Sequence, residues 1–347
     1  MKLSRAILFP YWLALKLRNA AYDRGRRQSV RHSVPVISVG NLTAGGTGKT
    51  PLTEYLCALL REDRRVAVLS RGYKRKSRGF RLVEPTDSAS LVGDEPLQIK
   101  RKFPDVLVAV DKNRNHGVSQ LLALPEAQRP DIILLDDGFQ YRKLQPARSL
   151  LLVDYNRPVF DDELLPIGRL RDLPEQMGRA DAVLVTKTPK LVDDWDREQM
   201  RRNLHLRPEQ PLYFTSIQYD APKPVFPDEA DARYLYSKEA FLFSGVADDR
   251  PLRVHLVDLY PHIEHKRYGD HHAFSRRDQR FLRRYALRHP RTVLLTTEKD
   301  AMRLLGCTRL GAEVRTRLFY IPIETKFQSP EEEGSFAKLI CRRENYS

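Results

Sequence analysis

The sequence predicts an α/β fold: a mostly parallel sheet with helices on both faces, followed by a smaller C-terminal α/β unit. Three observations carry this expectation. Short apolar runs recur at residues 34–39, 66–70, 105–110, 131–135, 149–154 and 181–186, with helical stretches between several of them. Strands buried on both faces read this way, because helices cover the sheet above and below. A glycine-rich loop follows the first run and opens a helical stretch. Prolines 208, 211, 222, 224 and 227 then crowd the chain between 206 and 240, which places a boundary there.

The elements follow in order. Residues 34–39 form a strand fed by Pro35 and ended by Gly40, and a helix spans 50–60. The strand at 66–70 runs into Arg71-Gly72-Tyr73 and a basic loop holding Lys74, Arg75, Lys76 and Arg78. A strand at 105–110, a helix at 113–124 and a strand at 131–135 lead to Asp136-Asp137-Gly138, and strands at 149–154 and 181–186 complete the sheet. The second unit has strands at 240–246, 292–297 and 318–323 and a charged helix at 275–288. The expected division is 1–28 for an N-terminal amphipathic helix region, 29–220 for the main domain and 221–347 for the smaller one.

The N-terminal region carries its own pattern. Leu3, Ile7, Tyr11 and Leu15 recur every four residues with Trp12 beside them, and Lys2, Arg5, Lys16, Arg18, Arg24, Arg26 and Arg27 surround them. A basic amphipathic helix with Trp and Tyr reads as an interfacial membrane segment. A helix packed on the protein's own core gives the same pattern, and Pro10 would kink it either way. No apolar stretch approaches the length a spanning helix needs.

The 347 residues carry 60 Lys+Arg against 45 Asp+Glu, a formal charge of +15. That excess favours an anionic partner: nucleic acid, an anionic membrane surface or a phosphorylated small molecule. Cys57, Cys307 and Cys341 are too scattered for a disulfide framework or a cysteine zinc site, and they fit a reducing compartment. His262, His265, His271 and His272 match no zinc spacing either.

The chemistry centres on Thr43-Ala44-Gly45-Gly46-Thr47-Gly48-Lys49-Thr50. Glycines let successive backbone N–H groups wrap one phosphate, and the following helix adds its positive end. Lys49 is placed for the β and γ phosphates and Thr50 for Mg²⁺. This is a P-loop in its strand–loop–helix setting, and it makes the fold P-loop NTPase-like. Thr43 stands where the general motif has glycine. Asp136 and Asp137 close an apolar strand, the place where such enzymes hold the Mg²⁺ partner. Guanine readers carry an Asn/Thr-Lys-x-Asp sequence; here Thr186-Lys187-Thr188 is followed by Pro189, which favours ATP.

Read together, several segments resemble the tetraacyldisaccharide 4'-kinases, the lipid A 4'-kinase family. They are Val39 through Pro51, Leu69-Ser70-Arg71-Gly72-Tyr73, Gly93-Asp94-Glu95-Pro96, Asp136-Asp137-Gly138-Phe139-Gln140, Leu165-Pro166-Ile167-Gly168-Arg169-Leu170-Arg171, Gly269-Asp270-His271 and Thr297-Glu298-Lys299-Asp300. They occur in the family's order and cover nearly the whole chain, and Thr43 belongs to that family's own pattern. The resemblance implies an ATP- and Mg²⁺-dependent kinase. It would phosphorylate the 4'-hydroxyl of a tetraacyl glucosamine disaccharide, giving lipid IV A, peripherally or monotopically at the cytoplasmic face of the bacterial inner membrane. It also implies that Asp94 is the base with His271 as its partner, and that Gln140, the following residue, Arg171 and the residue after it meet substrate. Two positions depart from the family. Tyr141 stands where it usually has His, and Asp172 where it often has Glu. A different class stays open on charge alone: a P-loop ATPase acting with nucleic acid, which the basic run at 71–81 would serve.

Overall fold

The computed structural model describes residues 3–342. Lys2 and the side chains of Leu3, Arg5 and Ile7 lie outside the described residues, so the predicted N-terminal stripe is observed at Tyr11 and Leu15.

Fourteen strands and eleven α-helices are described. The strands are β1 (Val36–Asn41), β2 (Val66–Ser70), β3 (Arg81–Leu82), β4 (Leu107–Val110), β5 (Ile132–Asp136), β6 (Arg148–Asp154), β7 (Ala182–Thr186), β8 (Leu212–Tyr219), β9 (Lys223–Pro224), β10 (Glu239–Ser244), β11 (His262–Arg267), β12 (Val293–Thr297), β13 (Leu318–Ile321) and β14 (Ile323–Phe327). The helices are α1 (Leu3–Asp23), α2 (Lys49–Leu60), α3 (Ala89–Val92), α4 (Asp94–Lys102), α5 (Arg114–Leu122), α6 (Asp194–Asn203), α7 (Arg250–Val257), α8 (Arg276–Arg288), α9 (Glu298–Leu304), α10 (Ala312–Arg315) and α11 (Pro330–Cys341).

Nine strands form one sheet in the order β14-β8-β7-β6-β1-β5-β2-β4-β3, and five form a second in the order β11-β10-β12-β13-β9. All pairs inside the large sheet are parallel, and antiparallel β3 and β14 occupy its edges. The central strands are buried along their whole length, as a sheet covered on both faces requires. The proline-rich stretch is more ordered than a linker, since it contains β8 and β9. The apolar run at 318–323 proves to be two strands, β13 in the small sheet and the start of β14. Strand β14 and then α11 return to the large sheet, where Phe327 and Phe336 pack on Tyr55 and Tyr213. One apolar cluster therefore runs through both sheets, from Val39, Leu56 and Leu134 to Phe241, Phe243 and Leu294. Leu56 and Leu60 of α2 belong to it, and truncating such a residue to Ala costs about 2–5 kcal/mol.

Helix α1 packs on the body with one face and leaves another open. Leu15 is buried in a second apolar cluster with Leu42, Phe139 and Leu170, and Leu8, Tyr11 and Trp12 are half-buried against it. Asn19 is buried and donates to Asp172 Oδ1 at 2.8 Å. The predicted stripe, where described, is thus the packed face. Phe9, Leu13 and Leu17, also four residues apart, are exposed, with Lys16 beside them over the Trp12 ring. No described helix is long and apolar enough to cross a membrane.

Candidate functional site

The register of β1 on β5 pairs Val39 with Asp136, so the glycine-rich loop after β1 lies beside the carboxylates that close β5. The loop is held at both ends. Thr43 forms an antiparallel bridge with Leu170, and the neighbouring amides of Ala44 and Arg171 donate to the Arg169 and Leu42 carbonyls at 2.7 Å each. That extended pairing explains why Thr43 needs no glycine. The left-handed positions come later, at Gly45 (φ 117°) and Gly48 (φ 82°), and Gly48 turns the chain directly into α2. Thr186 at the end of β7 seats the loop by donating to the Thr47 carbonyl at 2.9 Å. Thr47 and Thr50 are buried.

Asn41, the last residue of β1, organises the charges. It is fully buried and donates to Thr47 Oγ1 at 2.7 Å. Its own Oδ1 accepts from Lys49 Nζ at 3.3 Å and from Arg171. Lys49 lies 3.6 Å from Asp137, and Arg171 grips the same carboxylate with two nitrogens at 3.0 and 3.2 Å. Burial opposes ionisation of Asp137, but Lys49, Arg171 and Arg114 overrule it and hold the carboxyl far below its usual range. Its neighbour is driven the other way. Burial, and after it the facing Glu95 and Asp137, push Asp136 up to about 7. Ser70 donates to one oxygen at 3.2 Å, and the other, Oδ1, has no hydrogen-bond partner.

A second cluster forms where the two sheets meet. Asp94 opens α4, and His271 comes from the loop after β11 with φ 58°. Separated by 177 residues, they meet at 3.1 Å between Asp94 Oδ2 and His271 Nδ1. Of the two adjacent histidines, His271 reaches Asp94, while His272 contacts Asp278 at 3.0 Å and stacks on Tyr268. The Asp278 carboxylate completes a capping box with Ser275, which ties this loop to the start of α8. Tyr73 from the basic loop packs edge-on against His271. Beside Asp94, Glu95 pairs with Lys299 of α9. Burial opposes ionisation of Glu95, but Lys299, and more weakly Lys49, hold it low, and Glu95 in turn raises Asp136.

The remaining predicted residues sit as follows. Gln140 donates to the Asn41 carbonyl, and its own carbonyl accepts from Arg18 of α1 at 2.6 Å. Tyr141 donates to Asn113 at 2.9 Å with Arg114 over its ring. Asp172 is fully buried; one oxygen accepts from Asn19 and the other has no partner. Arg171 joins the P-loop cluster, and Tyr11 of α1 donates to its carbonyl at 3.2 Å. The sequence had not singled out Asn41, Arg114, Glu95, Lys299 or Arg303. Among the described residues, no three His, Cys, Asp or Glu side chains form a self-contained metal site.

A glycine-rich loop clamped between parallel strands, with its lysine facing a paired carboxylate, defines a P-loop phosphate-handling enzyme. Comparison with known proteins narrows that class. The family model described as "LpxK: Tetraacyldisaccharide-1-P 4'-kinase" matches residues 3–343. The tetraacyldisaccharide 4'-kinase of Parabacteroides distasonis is 41% identical over 347 residues, spanning 98% of this chain and 94% of the relative. That of Flavobacterium johnsoniae is 38% identical over 99% of both chains. Among solved structures, LpxK from Aquifex aeolicus in complex with ATP superimposes with a TM-score of 0.75 and 29% identity, covering 99% of this chain and all of that one. The chain belongs to the tetraacyldisaccharide 4'-kinase family. That membership displaces the nucleic-acid alternative.

Proposed function

We propose that this chain transfers the γ-phosphoryl group of ATP to the 4'-hydroxyl of the tetraacyl glucosamine disaccharide, giving lipid IV A. Family membership along nearly the full chain supports the reaction. The observation that carries the site is the meeting of Asp94, at the start of α4, with His271, from the loop after β11.

In this reading, the loop amides of residues 43–48 and the start of α2 receive the triphosphate. Lys49 leaves Asp137 to neutralise charge on the transferring group, and Arg171 steadies the loop through Asn41. A sugar hydroxyl is a weak nucleophile, so Asp94 accepts its proton as the new O–P bond forms and the bond to ADP breaks. His271 orients that carboxylate and shares the charge. Gln140, Tyr141 and Arg171 are assigned to the substrate side, with Tyr141 acting as a neutral hydrogen-bonding group, and Asp172, fully buried on Asn19, supports that side from behind.

Mg²⁺ is assigned to Thr50, Asp136 and Asp137. The unpartnered buried oxygen of Asp136 and the mutual repulsion of its carboxylate neighbours suit a cation, and a magnesium ion that shares its ligands with phosphates needs no all-protein cage. When bound, it would neutralise charge on the phosphate oxygens.

Docking at the membrane surface is assigned to α1, through exposed Phe9, Leu13 and Leu17 and the nearby basic residues. The division at about residue 220 is proposed as the point where the chain leaves the P-loop domain for the smaller one, with β14 and α11 returning to the large sheet at the end. Lys49→Ala, Asp94→Ala and Asp137→Ala should each severely reduce 4'-phosphorylation; normal turnover by all three would reject the site.

A further inference from the structure

We propose that Arg303 is a positioning residue for this reaction, reaching across from the small sheet to fix the Asp94 carboxylate against His271. The proposal rests on the reading of Asp94 as the base and adds the group that aims it.

Helix α9 starts from a Thr297 cap, whose side chain accepts from the Asp300 amide at 3.2 Å. Lys299 and Arg303 are four residues apart and so share a face. They meet two consecutive acids at the start of α4: Lys299 pairs with Glu95, and Arg303 with Asp94. The guanidinium is held before it reaches Asp94. Its Nη1 donates to Asp300 Oδ1 at 2.6 Å and to the Gly245 carbonyl at 3.1 Å. Asp300 is fully buried and accepts in turn from the Gly245 amide at 2.7 Å. Arg303 then presents Nε, at 3.0 Å, and Nη2 to the same oxygen, Asp94 Oδ2. A planar fork fixed at its far end sets the direction as well as the charge of the carboxylate it holds.

The two oxygens of Asp94 are thereby made unequal. Oδ2 carries Arg303 and His271, while Oδ1 accepts from the Glu95 amide at 3.1 Å and keeps capacity for another donor. Oδ1 is the oxygen left for a substrate hydroxyl. Arg303 Nη2 also lies 3.2 Å from His271 Nδ1, but that nitrogen donates to Asp94 and accepts nothing from Arg303, so the two donors converge on Oδ2 as their common acceptor.

The groups facing Asp94 are Lys299 and Arg303 from α9, Glu95 from α4 and His271 from the loop after β11, with Asp270 behind His271 and Arg303. Burial opposes ionisation of Asp94, but His271, Arg303 and Lys299 overrule it and keep the carboxylate charged. Without Arg303, burial has less to oppose it, and the base would begin to protonate as the pH falls.

The test uses the full-length enzyme with ATP, Mg²⁺ and the lipid disaccharide, comparing wild type with Arg303→Met, Arg303→Lys and Asp94→Asn. Arg303→Met should lower kcat about 100-fold, the scale of a misplaced catalytic group, with the KM for ATP within about threefold, because Arg303 touches no P-loop residue. The ratio of variant to wild-type kcat should fall further from pH 7 to pH 5, a trend that a structural loss independent of Asp94 protonation does not produce. Arg303→Lys should recover about tenfold of the loss, restoring the charge without the fork. If Arg303→Met loses its cooperative melt, Arg303→Lys carries the test alone: about tenfold loss of kcat with an intact melt supports the proposal, and wild-type kcat overturns it. An Arg303→Met kcat within about threefold of wild type, or a loss that neither varies with pH nor is recovered by lysine, overturns it as well. Asp94→Asn separates the two readings. An inactive Asp94→Asn beside a normal Arg303→Met leaves the base standing and removes the role of Arg303; an active Asp94→Asn removes the base itself.

Discussion

Replacing Asp137 by asparagine should separate nucleotide binding from turnover. Asp137 is the counter-charge of the P-loop lysine, 3.6 Å from Lys49 Nζ, and of Arg171 at 3.0 and 3.2 Å. At an effective dielectric of about 20, one unit pair at that lysine distance is worth roughly 4–5 kcal/mol gross. Asp137 is about a third exposed, so solvent leaves on the order of 1–2 kcal/mol net for the pair. A triphosphate entering without metal must take both cations from Asp137 and approach a fixed negative charge. Asparagine keeps the shape and removes both obstacles. Metal-free ATP should therefore bind Asp137→Asn about tenfold more tightly than wild type, equivalent to about 1.4 kcal/mol. Turnover with Mg²⁺ should fall at least about 100-fold, because the carboxylate assigned to the metal is gone. Titration calorimetry with ATP in chelator, beside a phosphorylation assay with Mg²⁺, reads both quantities. Unchanged or weaker metal-free binding together with normal turnover would refute the assignment.

Other perturbations give distinct signatures. Asp136 is raised from 3.8 to about 7 by burial and by Glu95 and Asp137, so ligand-free stability is free of this cost below about pH 4. It declines as the unfolded chain ionises between about pH 4 and 7, and is lower by a constant amount above that. Asp136→Asn should accordingly melt higher than wild type at pH 8, by up to a few kcal/mol (about 2–4) of stability, gain less at pH 5, and be inactive; a lower melting temperature at pH 8 would contradict the strain assigned to this residue. Gly48→Ala forces φ 82° on a residue with a Cβ, costing roughly 1–2 kcal/mol, and nucleotide titration should show weakened ATP affinity. On α1 the two faces should behave differently. Phe9→Glu, Leu13→Glu and Leu17→Glu combined should weaken binding to anionic vesicles while leaving the melting temperature nearly unchanged. Leu15→Ala should instead cost about 2–5 kcal/mol in chemical denaturation.

Local patterns carried most of the fold. The strand at 66–70 and the helix from Lys49 follow directly from an apolar run and a glycine turn, because burial on both faces leaves continuous apolar sequence. Strand β11, His-Ile-Glu-His-Lys-Arg, escaped notice because it is the edge of the small sheet and half solvated, so it carries no apolar run. Strand β8 hid among prolines. The α1 periodicity correctly marked an amphipathic helix, but a four-residue repeat does not state what covers it. Leu15 met the protein's own core, and the exposed stripe proved to be Phe9, Leu13 and Leu17.

The site divides along the same line. Lys49, Thr50 and the Asp136-Asp137 pair stand in contiguous motifs whose chemistry can be read locally. Asp94 and His271 were reached through a family resemblance, since 177 residues separate them. Arg303 is 209 residues from Asp94 and looks like an ordinary surface charge on a short helix until α9 is docked on α4. Asn41 lay inside the resembling segment from Val39 to Pro51 without a role, because its value lies in joining Thr47, Lys49 and Arg171, which only the fold shows.

The most direct measurement is transfer from γ-labelled ATP to the tetraacyl disaccharide precursor by the purified full-length protein with Mg²⁺, followed by mapping of the labelled position. The account predicts one label per disaccharide, on the 4'-oxygen, lost in Lys49→Ala and Asp94→Ala. Label on a different hydroxyl, or ATP hydrolysis with no label in the lipid, would contradict it.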